Sequence, residues 1–267
     1  MTRPSRLPDF ANPPLDEVVL GVQFAPVPAY TAVNARDVRE LFRAGFPKVQ
    51  EQPLLMPQFE TFGGANLQAS FPFQIGGPPA GSRLWFLSND ENHLLQFQPD
   101  RFLSNWRKRP IPQPYPRFES IAEAFENNLN TLAKHFASEL DYPININQAE
   151  VAYINIIPVE DFSNAGKWFR LWNGVVLNIE VLHTSFNEVI RDKNGNSHAR
   201  LSHTIQCAFA PDGKHKAFQL SLTFRGKPSG TDVPSAMQFL TQGREAIVMR
   251  FKEITTSEAH NFWGIKE

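Results

Sequence analysis

The clearest alternation of apolar and polar positions lies at 117–140. Phe118, Ile121, Phe125, Leu129, Leu132, Phe136 and Leu140 follow one another at steps of three or four residues. Glu119, Glu123, Glu126, Asn127, Asn130 and Lys134 stand between them. That period predicts a helix with one apolar stripe packed on a sheet. A second long helix is predicted over 234–253, with Met237, Leu240, Ile247 and Phe251 on its stripe. A shorter one is predicted at 34–45, with Asn34 as N-cap, Gly45 near its end, and Val38, Leu41 and Phe42 on one face.

Between these lie strand patterns. EVVLGVQF at 17–24 is short, β-branched and bounded by Pro13-Pro14 and Pro26. RLWFLSND and HLLQFQ predict a hairpin about Asn89-Asp90-Glu91-Asn92. AEVAYINIIP at 149–158 predicts another strand, and GKWFRLW at 166–172 a short helix or turn. VVLNIEVLHTSF, ARLSHTIQCAFA and KAFQLSLTFRG complete the set, joined by turn sequences at 192–196 and 211–214. The order strand, helix, strands, helix occurs twice, and Glu17-Val18 and Glu150-Val151 open corresponding strands. The expected fold is α+β: two pseudo-repeated units, 17–143 and 144–267, each strand–helix–antiparallel strands–helix. Their sheets are merged or separate, and the helices pack on one face. Residues 1–16 are expected to form an extended N-terminal arm.

Composition narrows the class. The chain has 267 residues, 42% apolar and 20% charged, which describes a globular protein of one large or two small domains. Lys and Arg number 26 against 27 Asp and Glu, so the strongly basic balance of a dedicated nucleic-acid binder is missing. The single cysteine leaves no internal disulfide, CxxC pair or multi-thiolate zinc site. Phe occurs 23 times and Tyr 4 times, a bias toward packed interior over a Tyr-rich recognition surface. The opening MTRPSRLPDFANPP has no apolar core of secretory type, and no window approaches a membrane span, so a cytoplasmic protein is expected.

Motifs of common enzymes are missing. Gly226-Lys227 is followed by Pro228, which breaks a phosphate loop, and neither GxSxG nor HExxH occurs. His183, His198, His203 and His215 fall in the strands of the second half. A metal site needs same-face spacing, whereas His198 and His203, five apart, are expected on opposite faces of one strand. No metal or cofactor is expected. Cys207 reads as a small buried hydrophobe. Asp16 and Glu17 are expected on opposite faces, in edge or cap roles, with Glu150 repeating that position.

The densest polar and aromatic cluster is QFQPDRFLSNWRKR, Gln96 to Arg109. Gln98, Arg101, Asn105, Trp106, Arg107, Lys108 and Arg109 are candidate partner- or phosphate-binding residues, with Trp106 as stacking anchor. The plainer alternative is a solvated basic turn with Phe102 and Trp106 buried between sheet and helix.

PPLDEVVLGVQF at 13–24, LLQFQPDRFLSNWRK at 94–108, YPRF at 115–118 and FKEITTSEAHNFWG at 251–264 resemble an uncharacterised family of about this length, named for its sporadic distribution among bacteria and archaea. Arg101, Asn105 and Trp106 stand at its most distinctive positions. The family carries no catalytic assignment. Its sporadic distribution implies genes that travel, as toxin–antitoxin and phage-defence genes do. Three functions follow as expectations. The first is a non-enzymatic binding or regulatory subunit, antitoxin-like or of a defence system, acting through a protein partner. The second is a small-ligand-binding protein or unusual enzyme with its pocket between sheet and helices, under a Gly/Pro lid at 76–81. The third is a nucleic-acid-binding component using 101–109, against which the near-neutral charge argues.

Overall fold

Strand side chains alternate between two faces, so each strand of this chain sorts its residues into an apolar and a polar set. The structure, a computed structural model, describes residues 4, 6–27, 30–63, 82–108, 111, 113–175 and 178–266. The proposed lid at 76–81 therefore lies outside the described residues. The strands are β1 (Asp9–Phe10), β2 (Leu15–Phe24), β3 (Lys48–Pro53), β4 (Ser82–Leu87), β5 (His93–Gln98), β6 (Arg101–Arg107), β7 (Ile146–Pro158), β8 (His183–Arg191), β9 (Ser197–Phe209), β10 (Lys216–Gly226) and β11 (Ile265–Lys266). The helices are α1 (Ala35–Phe42), α2 (Phe118–Glu139), α3 (Ala165–Trp168), α4 (Val233–Ile254) and α5 (Ser257–Phe262).

Among the described residues, nine strands form one sheet in the order β3–β4–β5–β6–β2–β7–β10–β9–β8, and every neighbouring pair is antiparallel. The fold is thus α+β, and strands from both halves of the chain share the sheet. β2 and β7 meet in its middle, with Leu20 opposite Val151.

One face of the sheet carries Val18, Leu20 and Val22 of β2, Phe102 and Trp106 of β6, Val151 of β7, and Phe218 to Phe224 of β10 in alternation, all buried. The helices cover this face. Phe42 of α1 and Phe125 of α2 stack on either side of Phe102, with ring centroids 5.6 and 6.0 Å away. In α4, Gly243 lets the helix approach β7 and β10: a Cβ there would lie 2.5 Å from Phe224 and 2.6 Å from Val151. Each buried Phe contributes about 1.5–3 kcal/mol of burial, so the aromatic stack carries much of this face. β1 pairs with β11, which ties the N-terminal arm to the C-terminal end, and Phe10 packs edge-on against Phe251 and Trp263.

Several expectations shift. Residues 101–107 form a central strand, β6, instead of a basic turn: Arg-Phe-Leu-Ser-Asn-Trp-Arg alternates, but Ser104 interrupts its apolar set. β3, KVQEQP, has no apolar alternation because it is an edge strand, polar and ended by Pro53. β8 begins at His183 rather than 175. Asn34 precedes α1, yet its Oδ1 accepts from the Thr31 amide (2.7 Å) and hydroxyl, so it closes the preceding turn instead of capping the helix. The pairing of β8 with β9 slips between Ile190 and Arg191, leaving His198 as the extra residue of a bulge. His198 consequently turns toward α4, against Phe239 and Gln242, and the expected opposition to His203 is lost.

Candidate functional site

The segment singled out from the sequence is divided by the sheet. Trp106 is 1% exposed on the helix side, its ring centroid 5.2 Å from Tyr115. It is a core residue and is not placed to anchor a partner. Arg101, Asn105 and Arg107 leave β6 on the other face, Lys108 is exposed beyond the strand, and Arg109 lies outside the described residues.

On that other face most polar side chains pair with one another, although Arg83 Nε and Arg107 Nε keep no hydrogen-bond partner among the described residues. Gln96 accepts from Arg83 Nη1 and Trp85 Nε1 and donates to Asn105 Oδ1 (2.7 Å), and Asn105 donates to Glu17 Oε1 (2.6 Å). Arg101, 6% exposed, donates to Gln23 Oε1 (2.6 Å) and to the Met56 carbonyl (3.0 Å). Burial pulls its pKa below the ordinary guanidinium value, while Glu150 and Asp100 hold it up. These bonds belong to a strap. Residues 54–62 cross the sheet perpendicular to the strands: Gln98 of β5 pairs with both backbone groups of Leu55, and Gln23 of β2 accepts from the Gln58 amide. Beyond them Gln148 of β7 accepts from the Glu60 amide, and Glu60 itself meets Arg200 of β9 (2.5 Å) and Arg225 of β10. Gln98, Arg101 and Asn105 are therefore spent on holding this face together. Glu150 likewise pairs with Arg225, at 2.5 Å.

Among the described residues, open space lies on the helix side. A cavity of about 70 Å³ lies where the N-terminal arm crosses the start of α2, the middle of α4, and β2 and β7. Its apolar wall includes Phe10, Leu15, Phe118, Ile247, Val248 and Phe251. Its polar end holds Tyr115, Tyr153 and Arg244. The two tyrosine hydroxyls are 3.1 Å apart. Burial pushes Tyr153 up to about 12 and Tyr115 well above the usual phenol value, so both remain protonated at neutral pH.

Arg244 is 4% exposed; its Nη2 donates to Glu119 Oε1 (3.0 Å), and its Nε has no hydrogen-bond partner among the described residues. At the rim Arg117, held at a φ of 75°, donates to Asp9 Oδ1 (2.7 Å), and Lys266 meets the same carboxylate at 3.3 Å. α2 starts beside this cavity without a side-chain cap.

None of these cavity residues was a sequence candidate, but one signal was there. The apolar stripe of α4 runs Met237, Leu240, Ile247, Phe251, and Arg244 stands on it between steps of four and three. A charge on a buried stripe needs a partner or a ligand.

The remaining candidates disperse. His203 is fully buried, stacked on Phe186 at 4.2 Å and 3.2 Å from Glu188. His215 pairs with Asp212 in an exposed turn. Cys207 is a half-buried free thiol whose pKa burial raises. Asp16 is buried at a slip in the pairing of β2 with β7. No three His, Cys, Asp or Glu residues gather as a metal site, and no helix is long and apolar enough to cross a membrane, among the described residues. Comparison with protein-family models, curated proteins and solved structures gave no match for this chain.

Proposed function

We propose that the protein is a small-molecule-binding protein whose ligand sits between the sheet and the helices, beneath the N-terminal arm. The observation that carries this is the 70 Å³ cavity with the buried Arg244 at its polar end. Folded cores are packed nearly without voids larger than a water molecule. A cavity that combines an aromatic wall with a buried arginine has the composition of a ligand site. The arm is its cover, held by Asp9 to Arg117, by Arg6 to Glu245, and by the pairing of β1 with β11. The test is a thermal-shift screen of small amphipathic metabolites against the wild type and Val248→Phe, which fills the cavity from its wall. A genuine ligand raises the melting temperature of the first and not of the second. A screen in which every active compound shifts both proteins equally dismisses the cavity.

A second reading is the regulatory subunit acting through a protein partner, as in toxin–antitoxin or antiphage systems. It draws support from β8, whose outer edge pairs with no strand among the described residues and which exposes Phe186 and Val189. Under this reading the partner adds a strand to β8 rather than docking on 101–109. Native mass spectrometry of protein purified from its host separates the two: a stoichiometric protein mass favours the partner, a small bound mass the cavity. The strand order also supports a duplicated ancestry, in which units 17–143 and 144–267 meet at β2 and β7.

A further inference from the structure

We infer that the cavity beneath the N-terminal arm takes a small apolar monocarboxylate, with the carboxylate on Arg244 and the tyrosine pair and the apolar body against Phe10, Phe118, Ile247 and Phe251. This rests on the ligand-pocket reading above and assigns its chemistry.

The first argument is a count of unspent hydrogen bonds. Tyr115 and Tyr153 share one hydrogen bond, which uses one of their two protons, and Arg244 gives a further hydrogen bond to the Tyr153 oxygen. Among the described residues no acceptor takes the other hydroxyl proton. Arg244 Nε, in the same buried place, is a donor without a partner among the described residues. What Arg244 and the tyrosines still have to give is donor capacity, so the group that completes them presents acceptors. The raised tyrosine pKa values keep both protons in place at neutral pH.

The second argument is charge. Among the described residues, the ion pairs that reach the cavity contain three cations, Arg117, Arg244 and Lys266, and two carboxylates, Asp9 and Glu119. One positive charge is in excess. The start of α2, a helix of 22 residues with no side-chain cap, adds its positive end on the same side. A single negative charge balances this ring, and a doubly charged phosphate overshoots it.

The third argument is size and surface. A cavity of about 70 Å³ with a mainly apolar wall suits a body of a few carbons. A planar carboxylate also matches a guanidinium edge, which favours it over a spherical anion. Glu119 competes for Arg244 and weakens the site in the free protein. It is a positioning residue, and removing its charge is the informative change.

The experiment titrates the melting temperature of the full chain with sodium isobutyrate and with its uncharged match, 2-methylpropan-1-ol, at constant ionic strength. Isobutyrate is expected to stabilise at concentrations at least tenfold lower than the alcohol. Glu119→Gln is expected to tighten isobutyrate about tenfold and leave the alcohol unchanged, because Arg244 is released to the ligand. Arg244→Lys is expected to weaken isobutyrate by tenfold or more. Should Arg244→Lys fail to fold, the Glu119→Gln comparison still decides. An alcohol that binds as well as the carboxylate, or a Glu119→Gln variant that weakens isobutyrate, overturns the carboxylate assignment and leaves the pocket standing. Isobutyrate binding that survives Val248→Phe places the anion elsewhere and overturns the assignment too. No response to either probe overturns the pocket along with its ligand.

Discussion

Along β6, Phe102 and Trp106 go to the helix side while Arg101 and Asn105 go to the strap side, and the two faces of the sheet inherit that division. On the helix side, Phe42, Phe102 and Phe125 stack in series, and stability there rests on area and shape. On the strap side, Gln23, Gln98, Arg101 and Gln148 hold residues 54–62 by directed hydrogen bonds. Such bonds are each worth about 1 kcal/mol net, because water offers nearly as much to the open chain. The spare room differs in the same sense: about 70 Å³ under the arm against about 10 Å³ beside Gly21 and Arg101. A face that is apolar nearly throughout makes its one polar end conspicuous. A face that is mostly polar absorbs its charges into structure. Function is therefore sought at Arg244 rather than at Arg101, although Arg101 sits in the more charged sequence.

The largest effect that breaks this symmetry is a pair of truncations on adjacent residues. Phe102→Ala empties the middle of the aromatic stack and is expected to cost about 3–5 kcal/mol. Arg101→Met removes the donor to Gln23 and Met56 and is expected to cost about 1–3 kcal/mol. Urea denaturation checks both. Hydrogen exchange adds the spatial readout: Arg101→Met speeds exchange of the Gln58 amide, which rests on Gln23, while amides of β7 and β10 stay protected. If Arg101→Met costs as much as Phe102→Ala, the strap side is a second core, and the contrast is wrong.

A smaller effect comes from adding one methyl group to each face. At Gly243 of α4 the new Cβ meets the Phe224 ring and Val151, both locked in the core. Gly243→Ala is expected to lose about 1–2 kcal/mol, the overpacking exceeding the helix-propensity gain of about 1 kcal/mol. At Gly21 of β2 the Cβ meets Leu103 Cδ2 and then Glu150 Cγ, both side-chain atoms on the strap side. Rotation of Leu103 relieves the contact, so Gly21→Ala is expected to cost less than about 1 kcal/mol. Thermal unfolding ranks the two, and a reversed order means that the strap side is packed as rigidly as the helix side.

Which of these features were legible in the sequence follows from what makes a pattern. α2 and α4 were readable because one stripe of each is buried along 22 residues, and nothing local competes with it. β6 was not, since Ser104 falls among its buried positions and its polar residues are spent on the strap, a segment about 40 residues away in the chain. Basic residues next to aromatic ones looked like a surface because spacing alone does not show that two faces are involved. β3 carries no pattern since an edge strand buries little. The cavity draws on the arm, α2, α4 and two strands, so no window of sequence contains it. Arg244 was its single local trace, a charge in an apolar row, and it becomes meaningful only once Glu119 and Tyr153 are seen beside it.

The smallest effect tests whether the helix side tolerates other ionisable groups without using them. His203 of β9 is fully buried, stacked on Phe186, and faces Glu188 of β8 and Arg250 of α4, which pair with each other at 2.7 Å. Burial lowers its pKa below the ordinary histidine value; Glu188 opposes the shift and Arg250 adds to it. The unfolded chain takes a proton at His203 near pH 6.5, whereas the folded protein does not until the pH is lower. The unfolded state thus binds more protons in that interval, and stability falls as the pH drops from about 7.5 to 5.5. His93 and His260, whose pKa values burial also lowers, add to the same slope. His203→Leu keeps an apolar contact with Phe186 and removes one titrating site. It is expected to show a smaller loss of urea midpoint between pH 7.5 and 5.5 than the wild type. A loss of unchanged size means that His203 takes its proton in the fold as readily as outside it. Glu188 then outweighs burial, and this corner of the helix side behaves electrostatically like the strap side.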